Sequence, residues 1–502
     1  MQSRASGQSC QRREKYAQQK NTVARTQISQ LSKADGTLAS SKHDVKRVVG
    51  EFYNKLFAPS RPSHVVNLVA SEPLLPVLES EVKSAIASRP KGRSPGEDRI
   101  TAEMLQVGTD VLTPHLTRIF NECLEQETVP NNFADSVITL LFKKGNPLDI
   151  KNFRPISLLS TVYKVFTTVL CRRMERDLED NQPAEQAGFR KQFSTIDHVF
   201  AVRELMQKSC EYRFPLYMAF VDYRKAFDSV EFDSVWTALS NQGVNTKIIN
   251  TIKAVYAKAQ VHVRIGTDKT PVVVQRGVRQ GDTISPMLFS AVVEEVFRVL
   301  DWDEYGIPIS GTRLTNLRFA DDIVVFSQCP HELQQMLQEL SEASKRVGLT
   351  INHEKTLVMS NYTETPITVD GLILLYCEKF IYLGHRLSFE LNDTPEIQRR
   401  IRAGWCAFNR YYQLLTSRTV SLALKRKVYQ ACIEPAILYG CETWVLRLKD
   451  HSTLITGQRR MMRKMIGVTL FDRHTDEWLS RTVRLGLLKS NSKLENSKFL
   501  KT

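Results

Sequence analysis

The stretch Leu317–Phe326 reads LRFADDIVVF, in which two aspartates, Asp321 and Asp322, separate two apolar runs. Apolar runs on both sides of a short polar break predict a β-hairpin. Aspartate is common in turns because its side chain bonds to nearby backbone, so the pair could serve only the turn. A catalytic interpretation therefore needs a third carboxylate on a neighbouring strand.

A third carboxylate stands at the end of another apolar run, where Leu216–Val221 leads directly into Asp222. A charge at the end of a buried strand is costly unless something opposes it. If this strand lies beside the hairpin, Asp222 and Asp321 converge, and a bound cation would relieve their repulsion. Oxygen-only ligands suit Mg²⁺, and two such ions about 3.5–4 Å apart support phosphoryl transfer. A strand-end aspartate that only caps a turn is the open alternative.

The overall charge favours a polyanionic partner. The 502 residues contain 69 Lys and Arg against 54 Asp and Glu, a formal charge of +15, with a pI near 9.3. Nucleic acid is the first candidate and an anionic membrane the second. Nine cysteines without a C-x-x-C pair fit a reducing, intracellular compartment. No run approaches the roughly 18 apolar residues of a membrane span, so we predict no membrane partner.

The order of apolar segments indicates an α+β fold. Helical periodicity begins with the stretch KHDVKRVVGEFYNKLF (42–57), and short runs then predict strands, with amphipathic helices between them. One predicted helix has Ser285 as its N-cap and Pro286 at its first position. The predicted strands are SVITLLF (136–142), PLYMAFVD (215–222), VHVRIG (261–266), TPVVVQ (270–275), RFADDIVVF (318–326) and TLVM (356–359).

Six blocks occur in the order NFRPISLLS, EQAGFRKQFSTIDH, FVDYRKAFDSV, RGVRQGDTISP, LRFADD and YLGHRLS. This order resembles the reverse transcriptase of LINE-type (non-LTR) retrotransposons, most closely the RTE-like branch, over residues from about 45 to 485. The resemblance implies a right-hand polymerase with fingers, a palm built on an antiparallel sheet, and a helical thumb. It suggests a polar basic tail or linker (1–45), an N-terminal helical extension (46–125), the reverse transcriptase domain (126–388), and a helical thumb with a basic C-terminal region (389–502).

The same resemblance implies roles for individual residues. Asp222, Asp321 and Asp322 would bind two Mg²⁺ ions, for which Mn²⁺ could substitute, and Lys355 would protonate the leaving pyrophosphate. The predicted nucleotide-binding residues are Lys143 and Arg154 for the triphosphate, Phe227 against the sugar, and Gln280 and Gly281 at the nascent base pair. Each has an ordinary alternative, which is a solvated surface cation, a core phenylalanine or a loop before a helix.

Tyr382, Leu383 and Gly384 match the turn that grips the primer, although a simple hairpin would look the same. Beyond it, the segment Ile397–Ile433 contains no Asp or Glu. Arg399, Arg400, Arg402 and Arg410 are the predicted contacts to the nucleic-acid backbone. The C-terminal Cys and His residues are spaced too irregularly for a zinc knuckle, so we predict no zinc.

The resulting hypothesis is an RNA-directed DNA polymerase that binds an RNA template, a DNA primer and dNTPs, and that is nuclear if active. The endonuclease that RTE-like elements carry upstream is expected to be missing, so one could be supplied in trans. A catalytically silent remnant that binds nucleic acid is the alternative from another class. An RNA-directed RNA polymerase is a third, disfavoured by Phe227.

Overall fold

A computed structural model describes residues 28–486 apart from 34, 67, 69–71 and 310, together with 488, 498 and 499. The helices are α1 (Lys42–Phe57), α2 (Glu79–Ala87), α3 (Ala102–Val107), α4 (Thr109–Glu125), α5 (Asn131–Ala134), α6 (Thr161–Glu179), α7 (Thr195–Glu211), α8 (Ala226–Ser229), α9 (Phe232–Asn241), α10 (Thr246–Ala257), α11 (Ser285–Arg298), α12 (Pro330–Arg346), α13 (Thr394–Arg410), α14 (Tyr412–Thr416), α15 (Leu422–Val428), α16 (Glu434–Leu438), α17 (Leu448–Ile466) and α18 (Asp476–Val483).

The strands are β1 (Leu31–Ser32), β2 (Leu38–Ala39), β3 (Ser136–Phe142), β4 (Phe153–Leu158), β5 (Tyr217–Val221), β6 (Val261–Ile265), β7 (Asp268–Val272), β8 (Ile307–Ile309), β9 (Thr312–Leu314), β10 (Asn316–Phe319), β11 (Asp322–Ser327), β12 (Leu357–Ser360), β13 (Thr368–Val369), β14 (Leu372–Ile373), β15 (Leu375–Tyr376), β16 (Phe380–Tyr382), β17 (His385–Leu387), β18 (Val445–Leu446) and β19 (Lys498–Phe499). Mixed helices and mainly antiparallel sheets confirm the predicted α+β class.

The chain forms two compact units that interleave along the sequence. The first unit contains Met1–Pro183, Tyr223–Leu300 and Glu342–Thr350. The second unit contains Ala184–Asp222, Asp301–Ser341 and Ile351–Thr502. The predicted domains, which divide at residues 125 and 388, are each continuous in sequence. The two observed units are each made of several segments, because strands distant in sequence pair within one unit.

The first unit is built on a four-stranded sheet in the order β4-β3-β6-β7. Strands β3 and β6 run parallel, while the β3–β4 and β6–β7 pairs are antiparallel. Helix α1 places Val45, Val49 and Tyr53 in the core of this sheet. Ser41 caps α1 through a side-chain bond from the backbone of Asp44, which ends the preceding extended segment.

The second unit is built on a five-stranded sheet in the order β10-β11-β5-β12-β15. Its pairs are antiparallel except β12 with β15. Every residue of β5 is buried, because both sheet faces are covered, and this explains why the strand is a continuous apolar run. The C-terminal helices of this unit pack around a separate core that includes Phe408, Tyr429 and Trp444.

The helical stretch predicted at residues 42–57 is confirmed as α1. Strands β1 and β2 lie within the predicted tail or linker, of which residues 1–27 are outside the described part. Two other local features differ from expectation. Helix α11 starts at Ser285 with Ile284 as N-cap, so Pro286 takes the second position rather than the first. Strand β4 was not predicted, because its Pro155 is unfavourable in a strand. No helix in the described ranges is long and apolar enough to cross a membrane.

Candidate active site

The aspartate pair lies on a tight hairpin of the second unit. Strands β10 and β11 are antiparallel and are closed by the pair Phe319 and Asp322, which leaves Ala320 and Asp321 as the two turn residues. Ala320 has a φ of 58°, a left-handed conformation that is strained for a residue with a Cβ. Asp321 is half-buried and Asp322 is exposed. The turn thus presents the first aspartate at its tip and the second at the start of β11.

Asp222 comes level with the hairpin through the sheet register. Strand β5 pairs with β11 so that Val221 opposes Ile323, and Asp222 is the next residue along β5. The backbone carbonyl of Asp222 accepts a 2.7 Å bond from the Asn352 amide, and its Oδ2 accepts a 3.2 Å bond from Asn352 Nδ2. The side chain remains 34% exposed. The carboxylate is therefore fixed at its base and open to a ligand.

A segment with no regular secondary structure holds the hairpin from its other edge. Arg318 of β10 donates its backbone N–H to Glu185 at 2.8 Å, and its carbonyl accepts from Ala187 at 3.0 Å. Gly188 follows, and a Cβ built there would overlap the backbone nitrogen of Ala320. Only a glycine allows this close approach to the turn. We call residues 185–188 the strap.

Lys355 contacts the carboxylate of Asp222. Its Nζ lies 3.1 Å from Asp222 Oδ2, and its side chain is 56% exposed. The turn that carries Lys355 is fixed by a bond from its backbone N–H to the carbonyl of Asn352 at 3.0 Å. A lysine in this position can neutralise the carboxylate or donate a proton to a bound group. Its predicted role as a general acid stays a prediction.

The donor set fits a divalent cation held partly by its substrate. Across the described residues, no group of three or more His, Cys, Asp and Glu is close enough to hold a metal ion. Mg²⁺ in nucleotide-processing enzymes needs only one or two protein carboxylates, because substrate phosphates and water complete its coordination. Asp222 and Asp321 can supply those two. The role of Asp322 as a third ligand stays a prediction.

Asp322 acts on a residue of the predicted primer turn. Tyr382 is buried, and burial raises the pKa of its hydroxyl well above its ordinary value, with the negative charge of Asp322 adding to the rise. The Tyr382 hydroxyl lies 3.5 Å from His198 Nδ1, and its ring packs 5.7 Å from that of Phe220 in β5. The tyrosine therefore supports the sheet beneath the hairpin and does not face solvent.

The predicted primer turn itself is a two-residue hairpin between β16 and β17. Leu383 has a φ of 43° and Gly384 a φ of 76°, the two positive angles of a type I′ turn. The Leu383 carbonyl accepts a 2.7 Å bond from the Tyr439 hydroxyl, and the Gly384 carbonyl accepts from Arg399 and Arg400. The turn is thereby attached to the C-terminal helices of the same unit.

The four predicted backbone-contacting arginines divide into two pairs on α13. Arg399 and Arg400 both bond to the buried carboxylate of Glu396, at 2.7 and 2.8 Å, and Arg400 also lies 4.3 Å from the ring centroid of Tyr439. Arg402 and Arg410 are exposed. The first pair thus has a structural partner that the sequence did not reveal, and contact of either pair with nucleic acid stays a prediction.

In the first unit, one predicted triphosphate ligand, Arg154, lies on β4, and the other, Lys143, directly follows the end of β3. Arg154 in β4 pairs with Leu141 in β3, and the Lys143 backbone N–H continues this ladder to Asn152 at 2.9 Å. Lys143 and Arg154 are diagonal neighbours on one face of the sheet, and both are exposed. This arrangement presents two cations side by side.

The remaining predicted nucleotide ligands also lie in the first unit. The Phe227 ring stacks on Phe289 with centroids 4.5 Å apart, and it is half-buried. The Gln280 carbonyl accepts a 2.7 Å bond from the Ser157 amide, and the Gln280 amide group donates to the Asp228 carboxylate at 2.7 Å. Gly281 has a φ of 106°, and a Cβ there would approach the Ser157 carbonyl to 3.0 Å.

Comparison with known proteins identifies the fold family. Residues 142–387 match the family described as reverse transcriptase (RNA-dependent DNA polymerase). These residues form a reverse transcriptase domain. Together with the mixed helices and sheets, the match confirms the predicted right-hand polymerase class, and this family uses divalent metal ions.

The relatives of this reverse transcriptase domain are proteins of non-LTR retrotransposons. The transposon TX1 uncharacterized 149 kDa protein of Xenopus laevis is 29% identical over 79% of this chain and 31% of its own length. The probable RNA-directed DNA polymerase from transposon BS of Drosophila melanogaster is 26% identical over 81% of this chain and 46% of its own length. The chain thus spans less than half the length of either relative.

One solved structure similar to this chain is apo telomerase from Candida tropicalis, truncated from its C-terminal domain. It has a TM-score of 0.36 and 13% sequence identity, and the alignment covers 55% of this chain and 59% of that one. The RTE-like branch, the missing endonuclease, the absence of zinc and the nuclear localisation stay predictions.

Several residues that hold the predicted site residues in place were not identified from the sequence. Asn352 bonds to Asp222, and Gly188 lets the strap approach Ala320 closely. Glu396 binds Arg399 and Arg400, and Asp228 binds Gln280. Asn352 carries no local signal, because its partner Asp222 is distant in the chain, whereas Glu396 stands three and four residues before Arg399 and Arg400, a spacing at which helical side chains pair. Gly188 and Asp228 lie inside blocks of the family resemblance, so their blocks were recognised but their contacts were not.

Proposed function

We propose that the chain is an RNA-directed DNA polymerase that extends a DNA primer on an RNA template. The observation that carries the proposal is the sheet register, which brings Asp222 level with the hairpin that presents Asp321. In the proposed reaction, the primer 3′-hydroxyl attacks the α-phosphate of a dNTP and pyrophosphate leaves. The related transposon proteins named as polymerases support this activity.

The carboxylates of Asp222 and Asp321 would hold two Mg²⁺ ions, with Mn²⁺ as a substitute. When bound, such ions activate the attacking hydroxyl and stabilise the leaving oxygen. The chain itself contributes rigidity, because the fully buried β5 and the β10–β11 hairpin fix where the two carboxylates stand. Precise placement matters, since most of the rate of phosphoryl transfer comes from positioning and charge stabilisation.

Other residues would act on the substrates. Lys355 lies 3.1 Å from Asp222 Oδ2 and would protonate the departing pyrophosphate. In the first unit, Lys143 and Arg154 would hold the triphosphate, since a point charge and a planar fork both bind phosphate oxygens. The half-buried ring of Phe227 would exclude a ribose 2′-hydroxyl, so that dNTPs are used in preference to rNTPs.

Primer extension on an RNA template tests the proposal directly. We expect dNTP incorporation that depends on Mg²⁺, little use of rNTPs, and loss of incorporation in Asp321→Ala. Full activity of Asp321→Ala would overturn the mechanism. Wild-type protein that incorporates no dNTP, yet binds RNA in a salt-dependent way, would instead support the silent nucleic-acid-binding remnant. Efficient rNTP incorporation would favour an RNA-directed RNA polymerase.

A further inference from the structure

Asp228 is a buried carboxylate that the proposed chemistry does not use. It lies in the short helix α8, six residues after Asp222 in sequence, and is 3% exposed. Its Oδ1 accepts a 2.7 Å bond from Nε2 of Gln280. Burial raises the pKa of Asp228 to about 6, while the charge of Lys225 and the bond from Gln280 oppose the rise. Burying a charged group costs free energy, so a buried carboxylate at this position calls for an explanation.

The backbone around this pair is held firmly within the first unit. The Val278 amide donates to the Phe227 carbonyl at 2.7 Å, and the Gly277 amide donates to the Val230 carbonyl at 2.7 Å. Gly277 has a φ of 89°, and a Cβ there would come within 2.7 Å of the Asp228 carbonyl. These contacts bring the segment before Gln280 against α8, so the Asp228–Gln280 bond is built into the fold.

Lys225, a cation whose charge acts on Asp228, is also held in place. Lys225 has a φ of 46°, and its Nζ lies 4.6 Å from the ring centroid of Phe52 in α1. Burial lowers the pKa of Lys225, and the charge of Asp228 opposes this fall. Lys225 thus helps to keep Asp228 ionised, and an ionised carboxylate can only accept hydrogen bonds.

An acceptor-only partner determines how the Gln280 amide is oriented. A glutamine side chain ends in one donor group, NH₂, and one acceptor, the carbonyl oxygen. Because the carboxylate of Asp228 binds the NH₂ group, Oε1 of Gln280 is directed away from Asp228. The backbone of Gln280 is fixed separately by the bond from Ser157. The half-buried Gln280 therefore offers a defined acceptor to a ligand.

We propose that Asp228 is a positioning residue that orients the Gln280 amide, so that its carbonyl oxygen accepts a hydrogen bond from the incoming nucleotide. This inference rests on the proposed function, since it takes Gln280 as a nucleotide ligand. Asp228 touches no substrate and acts only through Gln280. A neutral partner such as asparagine could both donate and accept, and would leave the amide orientation undefined.

A double-mutant cycle tests this role. Asp228→Leu and Gln280→Met should each raise the KM for dNTP about tenfold, the value of one lost hydrogen bond, with a smaller change in kcat. If Asp228 acts through Gln280, the KM of the double variant should also rise about tenfold. Two independent effects would instead raise it about a hundredfold. Multiplying effects in the double variant, or an unchanged KM in Asp228→Leu, would overturn the proposal.

Two further variants separate positioning from stability. Asp228→Asn keeps the side-chain volume and should raise the KM less than Asp228→Leu, because asparagine can still accept from Gln280 in one orientation. The exposed Asp180→Asn in the same unit is the matched control and should leave the KM unchanged. If Asp228→Leu does not fold, as judged by circular dichroism, the cycle is run with Asp228→Asn, and the same non-additivity is expected.

Equilibrium binding of dNTP to the protein–primer–template complex keeps this inference distinct from the proposed function. A wild-type chain that binds dNTP without incorporating it would reject the polymerase, and the cycle measured on dissociation constants would still decide the role of Asp228. A wild-type chain that binds no dNTP would overturn both. If the wild type incorporates dNTP but the effects of the two single substitutions multiply in the double variant, the positioning role alone would be overturned.

Discussion

Asp222 and Asp228 are six residues apart in the sequence, yet the structure gives them opposite environments. Asp222 ends a buried strand of the second unit with its side chain 34% exposed, whereas Asp228 lies in the first unit and is 3% exposed. The exposed carboxylate is held at its base and open at its tip, so it can bind a ligand. The buried carboxylate accepts a bond from Gln280 and is closed to solvent, so it can act only through a neighbouring residue. The same side chain is thus open to a ligand in one place and enclosed by the protein in the other.

The largest expected effect comes from removing the charge of the exposed carboxylate. Asp222→Asn keeps the shape and the bonds to Asn352, and we expect primer extension to fall by at least about 1000-fold, since the site loses a negative charge it needs. The melting temperature should change little. Asp303→Asn, an exposed aspartate of the same unit, should keep full activity. An active Asp222→Asn enzyme would contradict the distinction between the two aspartates.

Lys355→Ala tests whether the contact on Asp222 is only an ion pair. Loss of a general acid should slow the chemical step by about 100-fold or more, measured in single-turnover extension. Loss of an exposed ion pair alone is worth at most about 1 kcal/mol, which is roughly fivefold. A slowing below about fivefold would therefore leave Lys355 as a charge partner of Asp222. Lys449→Ala, also exposed, is the control.

Gly188→Ala tests the scaffold rather than the carboxylates. The added Cβ would overlap the backbone nitrogen of Ala320, so either the strap or the hairpin must move. A displacement of about 1 Å at a reacting group can cost about 100-fold, and we expect a fall in kcat of this size with the primer affinity retained. Gly457→Ala in α17 is the matched control and should stay active. Normal turnover by Gly188→Ala would show that the strap does not set the position of Asp321.

The smallest effect concerns buried groups that act on stability instead of chemistry. Burial lowers the pKa of both His198 and His385 from 6.5 to about 4. Between pH 6.5 and 4 these histidines bind protons in the unfolded chain but not in the folded one. Their contribution to the free energy of unfolding is therefore full above about pH 6.5 and falls as the pH drops towards 4. The loss is at most on the order of 3 kcal/mol for each histidine.

Thermal unfolding between pH 4 and 7 measures this loss. The variant His198→Gln should reduce the pH dependence, whereas the exposed His331→Gln should leave it unchanged. An unfolding temperature that does not vary over this range in the wild type would contradict the burial of both imidazoles.

Sequence reasoning succeeded where the information is local. Strand β3 was predicted with its exact bounds, and the hairpin around Asp321 follows from apolar runs on either side of a polar break. Leu333, Met336 and Leu337 recur at helical spacing in the sequence, and they lie buried on α12. The spacing of apolar residues indicates such helices and strands directly, because one face of each must be apolar for it to pack.

The sequence by itself determined the chemistry available: three aspartates in two strand-and-turn blocks, a basic chain, and an order of blocks that matches reverse transcriptases. Only the tertiary structure decided which aspartate is open and which is enclosed. It also showed that Asn352 bonds to Asp222 and that Gly188 packs against the turn that carries Asp321. The physical reason is that exposure and pairing depend on residues far apart in sequence, and no local pattern records which distant segment covers a side chain.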